Sequence, residues 1–320
     1  MKSYLYIIFA FAIWSTWGLA VRALGLPVPV IVFYNALFSV AFQGAGLLWV
    51  SRRQRLRMGR GIGPIFALGL FSLINVFTYF YALETTTVAN SLLTHYTAPV
   101  FVAVLAPFLL KDRMDGATLA ALALSAAGLL VIFSRGLGLG GGGGLIGAAA
   151  GTASGVAYAF IIILSRILSP GHHPLKIIFY QGLVSVAIMG AYVLPAGMAA
   201  ITLQQGMLLA AVGLFHSTIA LGLYLEGIRG ATAQEAGVLG YFEPFFGITL
   251  AYLFLGETPN TLALAGGAMI ILSGAAIVLR AGRAEPVVNP DCHSRRGTHA
   301  KHGSDGNPAT LLRGVDDSRG

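Results

Sequence analysis

The chain has 320 residues, 56% of them hydrophobic and only 10% charged, with a mean hydropathy of +0.78. A soluble domain carries about 25% charged residues, so this composition excludes a water-facing surface over most of the chain and makes lipid the solvent. The net charge of +8 raises nucleic acid as a partner, but the placement of the basic residues, given below, argues against it.

The first apolar run extends from Tyr4 to about Val21. It holds Trp14 and Trp17 and no small-residue cleavage site, so it reads as a retained span and not as a secretory leader. A helix crosses the hydrocarbon with about 20 apolar residues. That length predicts spans near 4–21, 29–50, 63–82, 87–109, 117–133, 145–166, 174–193, 207–227, 232–254 and 260–280. Pro29, Pro64, Pro174 and Pro259 fall near helix starts, where a missing N–H costs nothing. The run Gly140–Gly144 marks a linker over 136–144 that separates a first half, 1–135, from a second, 145–283. From Ala284 to the end at 320 the sequence is polar and reads as a disordered tail. The single cysteine, Cys292, lies there, so neither an intramolecular disulfide nor a cysteine metal site is available.

Basic residues orient the spans. With the N-terminus inside, the inner segments hold Lys2, the cluster Arg52, Arg53, Arg55, Arg57 and Arg60, then Lys111, Arg113, Arg166, Lys176, Arg229, Arg280 and Arg283. The outer segments hold Arg22 and Arg135. Both termini are therefore expected on the cytoplasmic side, and the positive charge reads as anchoring at an anionic inner leaflet, with no nucleic-acid partner.

Shifting the sequence by 145 residues lays Tyr79 on Tyr224, Tyr96 on Tyr241, Pro99 on Pro244 and Asp112 on Glu257. Thr97–Phe101 then matches Phe242–Phe246, and a shift of 144 brings Trp14 onto Tyr158 and Arg22 onto Arg166. Five spans per half make the halves enter the membrane from opposite sides. The expected fold is all-α and integral to the membrane, with ten transmembrane helices as two inverted five-helix repeats, an architecture that recurs in secondary transporters.

The segment Tyr79–Leu130, with Ala98-Pro99-Val100 and Lys111-Asp112-Arg113, resembles the EamA-type repeat of the drug/metabolite transporter superfamily. The second copy is similar to that family's EP…LGE pattern through Phe242-Glu243-Pro244-Phe245 and Leu253–Glu257. Trp14-Ser15-Thr16-Trp17-Gly18 resembles its first-span tryptophan–glycine signature. The likeness extends to about Arg280 and is strongest to the YddG-type amino-acid exporter branch. It implies a cavity among spans one, three, four, six, eight and nine, in a bacterial inner membrane. In the first copy Lys111-Asp112 stands where the second has Gly256-Glu257.

A transporter needs polar groups at mid-depth, where a central charge costs about 2.5–3.5 kcal/mol and must face protein or water. Pro99 and Pro244 would bend spans four and nine and free the carbonyls of His95 and Gly240; packing kinks fit them equally. Glu243 is the carboxylate near the middle of a span, suited to a substrate ammonium or a coupling proton, or to a neutral structural role. His95 and His216 lie deep as well, either as packed residues or as part of a proton-responsive site. Asn75 and Tyr79 share a face of span three, and His216 and Tyr224 one of span eight. With Trp14, Trp17 and Tyr158 they offer aromatic walls with polar tips for a small amphipathic solute, or simple aromatic packing.

Small residues crowd span five (Ala120, Ala121, Ala123, Ala126, Ala127, Gly128) and span ten (Gly266, Gly267, Ser273, Gly274), which suits helix contacts in a scaffold or a homodimer. Glu84, Glu226, Glu235 and Glu257 sit at span ends as caps or boundary charges. No HExxH, GxSxG, paired-aspartate or Walker A motif occurs, so neither an enzyme nor an ATP-driven pump is indicated, and no cofactor is expected. The expected function is export of amino acids or related small metabolites. The alternatives are another solute class (drug-like cations, sugars or nucleotide precursors), a channel or a membrane-embedded enzyme.

Overall fold

The computed structural model describes residues 1–50, 62–111, 115–134, 143–197, 200–255 and 261–283. The cluster Arg52–Arg60, Asp112, Arg113, Arg135, most of the glycine linker, Gly256, Glu257, Pro259 and the tail with Cys292 lie outside them. Met1–Gly282 forms one unit. Among its described residues, ten helices or runs of helices are long and apolar enough to cross a membrane, at the places the sequence predicts.

In chain order the helices are α1 (Lys2–Trp14), α2 (Trp17–Leu24), α3 (Val28–Val50), α4 (Ile62–Thr85), α5 (Val88–His95), α6 (Ala98–Leu109) and α7 (Gly116–Phe133). There follow α8 (Gly143–Leu168), α9 (Pro174–Val193), α10 (Leu203–Leu214), a π-helical turn (Phe215–Ala220), α11 (Leu221–Gly227), α12 (Ala233–Gly240), α13 (Phe242–Leu255) and α14 (Thr261–Arg283). The starts are set by local chemistry. Thr87 and Asp115 accept bonds from the third backbone N–H of α5 and α7. Thr202 with Gln205, and Thr232 with Glu235, form reciprocal capping boxes. Pro174 opens α9, where its ring is pre-set for a first turn.

Among the described residues, three spans are interrupted at mid-length and a fourth changes its winding. The first breaks between Trp14 and Trp17, where Ser15 and Thr16 turn their hydroxyls back onto the carbonyls of Ala12 and Ile13. The fourth breaks at Tyr96–Thr97 and the ninth at Tyr241. Pro99 and Pro244, expected as bends within continuous helices, instead sit in the first turns of α6 and α13. A proline has no backbone bond to lose there, so it starts a half-helix and the interruption falls just upstream. The eighth span stays continuous but widens into the π turn.

α4 packs along α8, α3 along α9, and α1 against α11, while α5 and α6 cover the other side of α8 and α12 lies on α6. Close approach depends on glycine. A Cβ on Gly155 of α8 would lie 2.6 Å from Thr97 Oγ1 and 2.8 Å from the His95 carbonyl, so the interrupted fourth span rests on bare backbone. The small residues of spans five and ten meet within the chain. A Cβ on Gly128 would come to 2.7 Å from the Gly266 carbonyl, and Ser125 and Ser273 share a buried hydrogen bond. The Arg280 guanidinium grips the Asp115 carboxylate, so the start of α7 and the end of α14 lie on one side of the unit. That carboxyl is held well below the usual range, first by Arg280 and then by the Thr118 N–H. Such a shift favours the folded state above the ordinary carboxylate pKa and is lost only in strong acid. The pair is half exposed and contributes little.

The Gly128–Gly266 crossing has no room for a side chain. Gly128→Leu is expected to cost about 1–3 kcal/mol or more through overpacking, read as a lower melting temperature in detergent. Gly63→Ala, on open backbone, leaves the melting temperature unchanged.

Candidate functional site

The turn between α1 and α2 and the π turn face each other. Trp14 Nε1 donates to the His216 carbonyl at 3.0 Å, and Thr16 Oγ1 meets His216 Nε2 at 2.9 Å. The Thr16 proton goes to the Ile13 carbonyl, so His216 donates from Nε2. Trp17 lies edge-on to His216 at 5.5 Å, and Trp14 packs on Tyr224 at 5.4 Å. Trp14, Trp17, His216 and Tyr224 thus form one group.

A second group gathers on α4, α5 and α8. The His95 ring stacks on Tyr158 at 5.2 Å with only 8° between planes, and Tyr79 lies 4.6 Å from it. His95 Nδ1 and Ser154 Oγ are 2.7 Å apart, and Asn75 Nδ2 donates to the Ser154 carbonyl and hydroxyl, each at 3.0 Å. Ser154 returns its own proton to the Asn75 carbonyl, so His95 is the donor to Ser154. Asn75 and His95 are therefore tied together through Ser154, with the Tyr79 and Tyr158 rings packed on the imidazole.

Tyr96 joins the groups. Its ring is 5.2 Å from His95, its carbonyl accepts from the Tyr241 hydroxyl at 3.1 Å, and its side chain is in polar contact with Glu243. Glu243 is half-buried and opens on a cavity of about 270 Å³ lined by Trp14, Trp17, Tyr96, Phe133 and Pro244. Tyr79 and Tyr158 lie within electrostatic reach of the same carboxyl. Of the residues expected from sequence, Trp14, Trp17, Glu243 and Pro244 line this cavity, while Asn75, Tyr79, His95, Tyr158, His216 and Tyr224 back it. Pro99 stands apart, packed where a Cβ on Gly237 would lie 3.2 Å away.

The model of the EamA-like transporter family matches residues 1–134 and again 145–280. The chain belongs to the EamA-like transporter family. An uncharacterized transporter of Archaeoglobus fulgidus is 32% identical over 226 residues, 70% of this chain and 78% of that protein. The pseudopaline exporter CntI of Pseudomonas aeruginosa is 26% identical over 258 residues, 78% of this chain and 85% of that protein. A solved crystal structure aligns with a TM-score of 0.75 at 21% identity, covering 88% of this chain and 98% of its own, which shows the shared fold. The protein is a multi-pass membrane transporter, built for a small-molecule solute in a lipid bilayer.

Sequence reasoning missed Ser154, Thr16 and the pairing of Tyr96 with Glu243. Tyr96 carried a signal, since the 145-residue shift lays it on Tyr241, the residue whose hydroxyl it receives. Ser154 carried none among the small residues around it. Boundary carboxylates fare as expected where described: Glu235 caps α12 and Glu226 pairs with Arg229 at 2.7 Å.

Replacing Ser154 with alanine strips partners from both Asn75 and His95. Each orphaned group costs about 1–3 kcal/mol, so Ser154→Ala is expected to lower the melting temperature of the purified transporter well below that of Ser134→Ala, whose exposed hydroxyl bonds only a carbonyl of its own helix.

Proposed function

We propose that this transporter exports amino acids or related small amphipathic metabolites by alternating access, with Glu243 receiving the solute's ammonium group. The observation that carries this reading is one carboxylate at a helix interruption, open to a cavity walled by Trp14, Trp17 and Tyr96. A carboxylate ionised at this depth needs a cation. Tryptophan faces add about 0.5–2 kcal/mol of cation–π attraction for an ammonium, and half-helix ends are a recurring way to place such groups.

The inverted-repeat architecture, with halves at 1–135 and 145–283, is part of this proposal and is supported by the helix pairs. Exchanging the halves turns the contact of spans three and six into that of spans eight and one. It also pairs spans two with seven, four with nine and five with ten, and each of these pairs is in contact. Export in place of import is supported by the relative named as a pseudopaline exporter. A bacterial inner membrane with both termini inside accords with the basic residues and with Asp115 and Arg280 sharing a side. Drug-like cations would satisfy Glu243 as well. Sugars and nucleotide precursors would leave it unpaired.

In proteoliposomes, amino acids bearing a free ammonium should show saturable flux, and Glu243→Gln should lower it by about tenfold or more, the loss expected for a charged hydrogen bond. Equal flux by wild type and Glu243→Gln, with both proteins folded, would refute the assignment. Running the panel with and without a pH gradient separates proton-coupled from facilitated movement.

A further inference from the structure

One end of the unit is closed by packing and by two arginines. Its markers are Ser3 beside Gly230, the Asp115–Arg280 pair, and Tyr4 and Glu235 within electrostatic reach of Arg280. There Arg166, in the last turn of α8, donates from Nη1 to the carbonyls of Ile228 and Arg229 at 3.1 and 3.0 Å. Arg229 answers from the end of the eighth span. Its Nε donates to the Ser169 carbonyl at 2.9 Å and its Nη2 to the His172 carbonyl at 2.7 Å, while Nη1 holds Glu226. Each guanidinium thus takes carbonyls at the end of the other's span, using several fixed donors at once.

The first span closes against the same place. A Cβ on Gly227 would lie 2.6 Å from the Ser3 carbonyl, and one on Gly230 would collide with Ser3 Oγ. Tyr4, Ile7, Ile228 and Ala231 are buried around this contact. Span one is therefore joined to span eight by bare backbone, and span six to span eight by the two arginines.

The Glu243 cavity lies on the other side of the helix interruptions. Trp17 stands beyond the break in the first span, and Gly247 and Ile248 follow Glu243 along α13. Phe133 is the last residue of α7, whose opposite end is capped by Asp115 at the arginine end. The cavity thus runs from mid-depth away from Arg166 and Arg229.

We infer that Arg166 and Arg229 are the latch of a gate. Fastened, it seals the arginine end and leaves the Glu243 cavity to open at the far end only. Released, it lets spans six and eight part, and the same cavity opens past Arg166. The inference rests on the alternating-access reading of transport and on no particular solute. Its bonds suit a reversible device. The Arg229 side chain is 33% exposed, so water can take over the arginine–carbonyl bonds as they break, and the exchange has a small net cost.

The test is the sidedness of a single thiol in the full chain. Gly247 lines the cavity and has open space where a Cβ would go, so Gly247→Cys is accommodated. With Cys292→Ser it is the one cysteine left. A membrane-impermeant maleimide should label it in right-side-out vesicles and leave it largely unlabelled in inside-out vesicles, which present the proposed cytoplasmic end. Adding Arg166→Gln or Arg229→Gln should raise labelling in inside-out vesicles by about tenfold or more, the weight of one charged hydrogen bond. Arg229→Lys keeps the charge but cannot span the separate acceptors, so it should behave in the same way and serves if a glutamine variant does not fold. Sidedness unmoved by these substitutions, with only the melting temperature lowered, would reduce the arginines to structural caps and overturn the latch. Labelling from the arginine end without any arginine change would overturn it too. No solute is present in this assay, so a failed assignment of the ammonium to Glu243 shows in the flux panel and not here.

Discussion

A peptide group in hydrocarbon has no water to bond, so each interruption of a helix there must be repaired from within the protein. This constraint explains why the polar residues of the core stand where they do. The π turn in the eighth span exposes carbonyls that a regular helix would have used internally. Trp14 from α1 takes that of His216, Gln43 from α3 takes that of Ser217, and Ser39 with Thr218 takes that of Gly213. At the fourth span Thr97 caps the Thr94 carbonyl and Tyr241 caps that of Tyr96. Each repair draws a side chain from another turn or another helix, and so ties the interruptions together.

The repairs also make the cavities. A side chain that donates to a freed carbonyl is held at a fixed angle, and its remaining polar atom or ring face then points elsewhere. Trp14 is held by its indole N–H, which fixes it as a wall beside Glu243. Gln43 is held by its NH2, which leaves its carbonyl unpartnered. Net hydrogen bonds of this kind contribute about 0.5–1.5 kcal/mol each, far less than breaking a continuous membrane helix without compensation would cost. The interruptions are therefore affordable only as a connected set.

Most of the fold was legible because apolar length and helix punctuation are local properties. Ten spans followed from run lengths, and Thr87, Asp115, Thr202 and Thr232 cap helices as their residue types suggest. The prolines were read for the wrong turn. Pro99 and Pro244 mark beginnings of half-helices, so the breaks fall at Tyr96–Thr97 and Tyr241. In the site, residues with strong intrinsic chemistry stood out: Glu243, the histidines and the tryptophans. Gln43 and Ser154 did not, since an amide or hydroxyl in an apolar helix gains meaning only from what faces it on another helix. The π turn was equally hidden, because its stability depends on Trp14, Ser39 and Gln43, far away in sequence.

Under the proposed reading, one carboxylate supplies attraction that is strong and poorly selective, since any cation answers it. Discrimination among solutes therefore falls to the shape and the aromatic faces of the cavity around it. The aromatic layer of Tyr79, His95 and Tyr158 behind Glu243 is held by ring packing and by the bond of His95 to Ser154, which gives that cavity a stiff floor.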